Sequence, residues 1–325
     1  MKWNRFFIWL DIGLMIYFFY GRERSTKREG SGSPVVRFRN ATFASRYNAA
    51  GAVTVVATLS LFVSPRPAHA WGAAAERLVA NKAVDTLPPE IRAFFEANRD
   101  FLTHHVAEPL DWLEKKPLTE RRNHFLYLDH YGKFPFDSLP RNYQVAVSKF
   151  TKSKLESSGV LPWQIGVFSQ KLTAAMREHD WEQTRLAAAY LAAYVAQAHD
   201  PFHTTEDFDG HLSGQPGVDL RFGSNLVDRY STFFPIRPTD AMFLSDPTDH
   251  AFDACMSAHS WVENILLADR RAREGLSDYT DEYYDHFYNE TAAILIRQLT
   301  EAATDVGSYW LTAWINAGRP QLATQ

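Results

Sequence analysis

From residue 71 onward, apolar residues recur three and four positions apart, the spacing of helices that each bury one face. Leu78, Val79 and Ala83 share a stripe between Ala73 and Thr86. Pro88-Pro89 stop that helix and open the next, and Ile91, Phe94, Phe95, Phe101 and Leu102 carry the pattern to about Val106. Glu108–Leu113 reads as a short turn or helix, followed by a charged loop from Lys115 to Arg122 and, beyond a loop at 135–140, a helix over Arg141–Phe150. Pro162 opens a helix reaching His179, with Ile165, Phe168, Leu172 and Met176 on one side. Asp180 caps the next, with Gln183 in the capping-box position. That helix runs to about His199 and is almost entirely Ala, Leu, Tyr and Val, so it is expected to be buried on most sides. Phe252–Arg273 and Asp281–Ala317 read as two more long helices, the last closed by Gly318 and Pro320.

Two stretches break the pattern. His124–His130 alternates apolar and polar residues and could form a short extended strand, and residues 204–237 read as a long loop. No strand pair or repeat is evident. The expectation is an all-α fold, a single multi-helix domain of about 250 residues spanning 71–325.

Charge separates the first 70 residues from the rest: their formal charge is +7, against −11 for the remainder. Arg37, Arg39 and Arg46 precede an apolar run from Ala49 to Val63, and Ala68-His69-Ala70 follows. A basic segment, a short apolar segment and small residues at −3 and −1 predict a signal peptide over 35–70, cleaved between Ala70 and Trp71, and hence export. An apolar run of about 15 residues is short for a membrane span. Phe6–Tyr20 is a second apolar run ahead of a Gly/Ser/Arg-rich linker. Residues 1–34 therefore read either as an over-extended start or as an N-terminal anchor. The single cysteine, Cys255, excludes an intrachain disulfide framework and a cysteine-rich zinc site.

Candidate chemistry concentrates where the Ala-rich helix ends. His199-Asp-Pro-Phe-His203 forms a His-x-Pro-x-His turn, and Thr-Thr-Glu-Asp-Phe-Asp-Gly-His211 follows. With the Trp-Gly that cleavage would expose at 71–72 and the C-terminal Tyr-Trp-Leu-Thr-Ala-Trp-Ile-Asn-Ala-Gly-Arg-Pro, this chain resembles the zinc-dependent phospholipase C and single-strand-specific nuclease superfamily. The resemblance implies three zinc ions, bound in part by the amino terminus of the mature protein, that generate hydroxide and hydrolyse phosphodiester bonds.

Carried over by position, the implied ligands are Trp71, Glu76 (a histidine in the family), Asp111, His124, His203 and Asp219, Asp111 also being the candidate general base. His199 is a further candidate one turn before His203. The family's helical His-x-x-x-Asp pair falls on Ala193 and Gln197, and its last Glu on Gly223. Ala and Gly cannot ligate, and a neutral amide poorly replaces a carboxylate bridging two cations. Two functions follow as expectations. One is an exported phosphoesterase with fewer than three zinc ions, acting on a phospholipid or small phosphoester and open to contact with a membrane surface. The other is a non-catalytic member, with no zinc, serving as an exported binding or structural module. A charge of −11 and the lack of a basic, aromatic-interleaved stripe disfavour nucleic acid.

Overall fold

A computed structural model describes residues 71–323. The expected signal peptide and the upstream extension lie outside the described residues. The described residues cluster as one compact unit, and every regular element among them is helical, as expected.

Helix α1, Ala73–Ala83, tightens into a turn over Val84–Thr86, where Thr86 Oγ1 donates to the Ala83 carbonyl at 2.7 Å. Proline in the first turn opens α2, Pro89–Ala97, and Asn98 ends it by donating from Nδ2 to Phe94 O at 2.8 Å. Then come α3, Arg99–His105, and α4, Glu108–Lys115. The charged stretch expected as a loop instead folds into a turn of helix, α5, Pro117–Glu120, and a tighter turn, Arg121–His124. Pro117 supplies the preset φ that starts it.

Residues 124–130 form no strand. Leu126 N and Leu128 N donate singly to His203 O at 2.8 Å and Thr204 O at 2.9 Å, while Tyr127 N between them takes Ser158 O at 2.7 Å. The alternation is real, but its hydrogen bonds go to two different loops rather than to one partner strand.

Asn142 caps α6, Tyr143–Phe150, and α7, Lys152–Ser158, follows. Then come α8, Leu161–Arg177, and α9, Trp181–Ala198, whose capping Asp180 Oδ1 accepts from Gln183 N at 3.0 Å as the sequence predicts. The stretch 204–237 is less irregular than expected: it holds a wide π-type turn, Leu220–Asn225, and the short α10, Leu226–Tyr230. The helix expected over 252–273 is two helices, α11, Pro247–His259, and α12, Val262–Arg273. At their junction Ser260 Oγ donates to Ser257 O at 2.6 Å, a local bond that competes with the helical ladder.

The last helix, α13, Asp281–Asn316, is 36 residues long, about 54 Å. It packs against α1, α8, α9 and α12. Helix α9 lies at the centre, in contact with α8, α13, α1 and α3. Its buried alanines let neighbours approach the backbone, so Trp310 Nε1 reaches Ala188 O at 3.1 Å while its ring stacks on Phe95 at 4.6 Å. The C-terminal end of α9, the N-terminal turn of α1 and the 219–223 turn thereby share one buried region.

Candidate functional site

Trp71 is fully buried, and its backbone N–H lies near the Asp200 carboxylate and eases its ionisation. Five residues on, Glu76 projects from α1 into the same interior, where Gln197 of α9 donates from Nε2 to Glu76 Oε1 at 2.7 Å. Asp200 follows from the end of α9: its N–H returns to Gln197 O at 3.1 Å, and its Oδ1 accepts from Phe202 N at 2.9 Å. Asp219, nearly inaccessible, stands close enough to Asp200 for its charge to raise the cost of ionising Asp200.

These carboxylates are electrostatically unusual. Burial lifts Glu76 and Asp200 well above the ordinary carboxylate range, and burial pushes Asp219 up to about 6. Glu76 Oε2, Gln197 Oε1 and Asp219 Oδ1 have no hydrogen-bond partner. Trp71 and Asp219 are therefore placed beside Asp200, and Glu76 beside Gln197 one helical turn earlier.

Other candidates go elsewhere. His124, also buried, directs Nε2 to Glu120 Oε1 at 3.0 Å, and Tyr194 donates its hydroxyl to the same oxygen at 2.5 Å. Asp111 lies on the exposed side of α4, where the family resemblance had suggested a general base. His199 turns toward α13: its Nε2 is 2.9 Å from Asp305 Oδ2, and His250 Nε2 reaches the same oxygen at 2.8 Å. Burial alone would raise Asp305, but the bonds from His199 and His250 outweigh it and hold the carboxyl below its usual range. Pairing with Asp305 raises His250 in turn. The His203 carbonyl ties the turn to Leu126.

Glu120, His250 and Asp305 were not singled out from sequence. The i, i+4 spacing of Glu120 and His124 was a usable signal, though it crosses a helix junction. For Asp305, in the middle of a long helix, the sequence carries none.

Among the described residues, no three His, Cys, Asp or Glu side chains converge to hold a metal ion. The three-ion arrangement fits this centre poorly. Ala193 and Gly223 are buried and their side chains offer no ligand atom, and Gln197 offers only a neutral amide oxygen where the resemblance implies a bridging carboxylate. A cavity of about 730 Å³ beside Arg141 and Trp163, and one of about 540 Å³ beside Trp112 and Tyr190, are lined by other residues. The second touches Glu120 and Tyr194 but not the acidic centre.

No family model matches the chain, and no curated protein matches it.

Proposed function

We propose that this chain is an exported, non-catalytic protein of the phospholipase C/nuclease type, a binding module that has given up multi-zinc phosphodiester hydrolysis. The observation carrying this reading is the Gln197–Glu76 hydrogen bond at 2.7 Å. Two positions where the resemblance implies metal ligands close directly on each other. Beside them Ala193 supplies no lone pair, and the centre is fully buried rather than open to a phosphodiester. Loss of one ligand from a site of three or four sharply weakens it, and here several are lost.

A one-ion phosphoesterase is the second reading. Glu76 Oε2 and Asp219 Oδ1, buried without partners, are the observation that favours it. In that case Trp71, Glu76 and Asp219 would hold the ion, which supplies Lewis acidity to a phosphoester.

Metal analysis of the chain beginning at Trp71, purified without chelators, separates the two. Under the non-catalytic reading it carries less than about a tenth of an equivalent of zinc, and its melting temperature does not move with EDTA. It also leaves bis(p-nitrophenyl) phosphate intact. Near-stoichiometric zinc that disappears in Asp219→Ala, together with hydrolysis, establishes the phosphoesterase instead.

A further inference from the structure

The last turn of α12, the loop at Gly214-Gln215 and Tyr279 line a cavity of about 540 Å³. Three arginines line it: Arg270, Arg271 and Arg273. Their charges are compensated very unequally. Arg271 Nη1 pairs with Glu290 at 3.4 Å. Arg270 gives Nη1 to the neutral Gln215 amide oxygen at 3.1 Å, and Arg273 gives Nη2 to the Ser277 carbonyl at 2.9 Å. Neither Arg270 nor Arg273 forms an ion pair with a carboxylate among the described residues.

Two carboxylates also line this cavity. Asp269 is already satisfied: Arg221 pairs with it at 2.9 Å, Gln215 Nε2 donates to it at 2.6 Å, and the Tyr283 hydroxyl donates as well. Glu274 is exposed and makes no ion pair with the arginines. The sharpest feature is Arg273 Nη1, which is buried and has no hydrogen-bond partner. Tyr279 stacks under this guanidinium at 4.3 Å and holds it in place, but a ring face is no substitute for an oxygen lone pair. Basic residues at a helix C-terminus are favoured by the helix dipole. That accounts for positive charge here, not for a buried donor left without an acceptor.

We propose that this cavity binds a phosphate-type oxyanion, free or as the monoester group of a small molecule, between Arg270 and Arg273. Guanidinium forks match such oxygens in pairs, and the bound anion supplies the negative charge that neither Arg270 nor Arg273 receives from a carboxylate. The cavity is within the size range of small-molecule sites. This names a ligand class for the binding-module reading, while the binding itself depends on no metal.

The test is calorimetric titration of inorganic phosphate into the chain beginning at Trp71, with EDTA present throughout. Saturable one-site binding is expected, weakened at least about tenfold by Arg273→Gln and by Arg270→Gln, as loss of a charge-assisted bond implies. Arg273→Lys should restore part of it, and Arg297→Gln, an exposed arginine paired with Glu301 on the far side of α13's sequence, should leave it unchanged. Far-UV circular dichroism confirms that each variant is folded. Titration of glycerol 3-phosphate distinguishes the sources: comparable binding assigns a monoester ligand, and exclusion assigns the free ion. Absence of saturation overturns the proposal, as does equal affinity for acetate or binding untouched by both glutamine variants. Phosphate binding that appears only when EDTA is replaced by zinc, and survives both variants, also overturns it and points instead to the acidic centre.

Discussion

Glu76 has one carboxylate oxygen on Gln197 Nε2 and the other without a partner, so burial favours its neutral form. A neutral amide should then replace it at little cost. Glu76→Gln is expected to change stability in urea melts by no more than about 1 kcal/mol, whereas Gln197→Ala, which strands Glu76 and opens a cavity, should cost about 2–4 kcal/mol. Equal losses in the two variants would contradict a neutral Glu76. Asp305 and His250 have the opposite character, since each is shifted toward its charged form. Asp305 stabilises the fold above its ordinary value of 3.8 and loses that contribution as pH falls. His250, raised above 6.5, stabilises fully below that value and loses its share as pH rises through the higher folded one. His250→Asn should therefore be most destabilising near about pH 5.5 and progressively less so toward about pH 9. A pH-independent difference in denaturation midpoints would remove the ion pair from the account.

Among the elements, α13 depends on a glycine in mid-helix. Gly307 faces the turn after α1, where an added Cβ would come within 1.9 Å of Thr86 Oγ1 and 3.2 Å of Ala83 O. Helix propensity favours alanine there by about 1 kcal/mol, but the close approach opposes it. Gly307→Ala should accordingly lower stability, by about 1–3 kcal/mol in a chemical melt, and pairing it with Thr86→Ala should recover much of the loss. Helices such as α8, α9 and α13 were readable from sequence because their stripes are long and their caps explicit, Asp180 among them. The α11–α12 break was not, because Ser257 and Ser260 fit a helix until a local hydroxyl bond diverts one carbonyl. The acidic centre was only half readable. Trp71, Glu76 and Asp219 were identified by position along the chain, but the Glu76–Gln197 contact joins residues 121 apart, Tyr194–Glu120 joins residues 74 apart, and His199–Asp305 joins residues 106 apart. Periodicity describes which face of a helix is apolar. It does not say which polar group from another helix will meet it.

At the scale of the whole molecule, α1 and the Trp71 side chain close the interior from the N-terminal side. Trp71 is among the largest fully buried side chains, so Trp71→Ala should cost about 3–5 kcal/mol by the measure of buried aromatic truncations. A melting temperature unchanged by that substitution would mean the tryptophan is not part of the core. The chain order of contacts has a further consequence. Helix α1 rests on α13, and α9 at the centre needs both. The first helix of the described region thus finds its main partner only in the last. A nascent chain stopped at Leu276 lacks that wall and should remain protease-sensitive and without a cooperative melt, however much local helix it forms. Closing the loop is deferred until synthesis is nearly complete. A polypeptide organised this way stays open to proteases and chaperones for almost the whole of its synthesis.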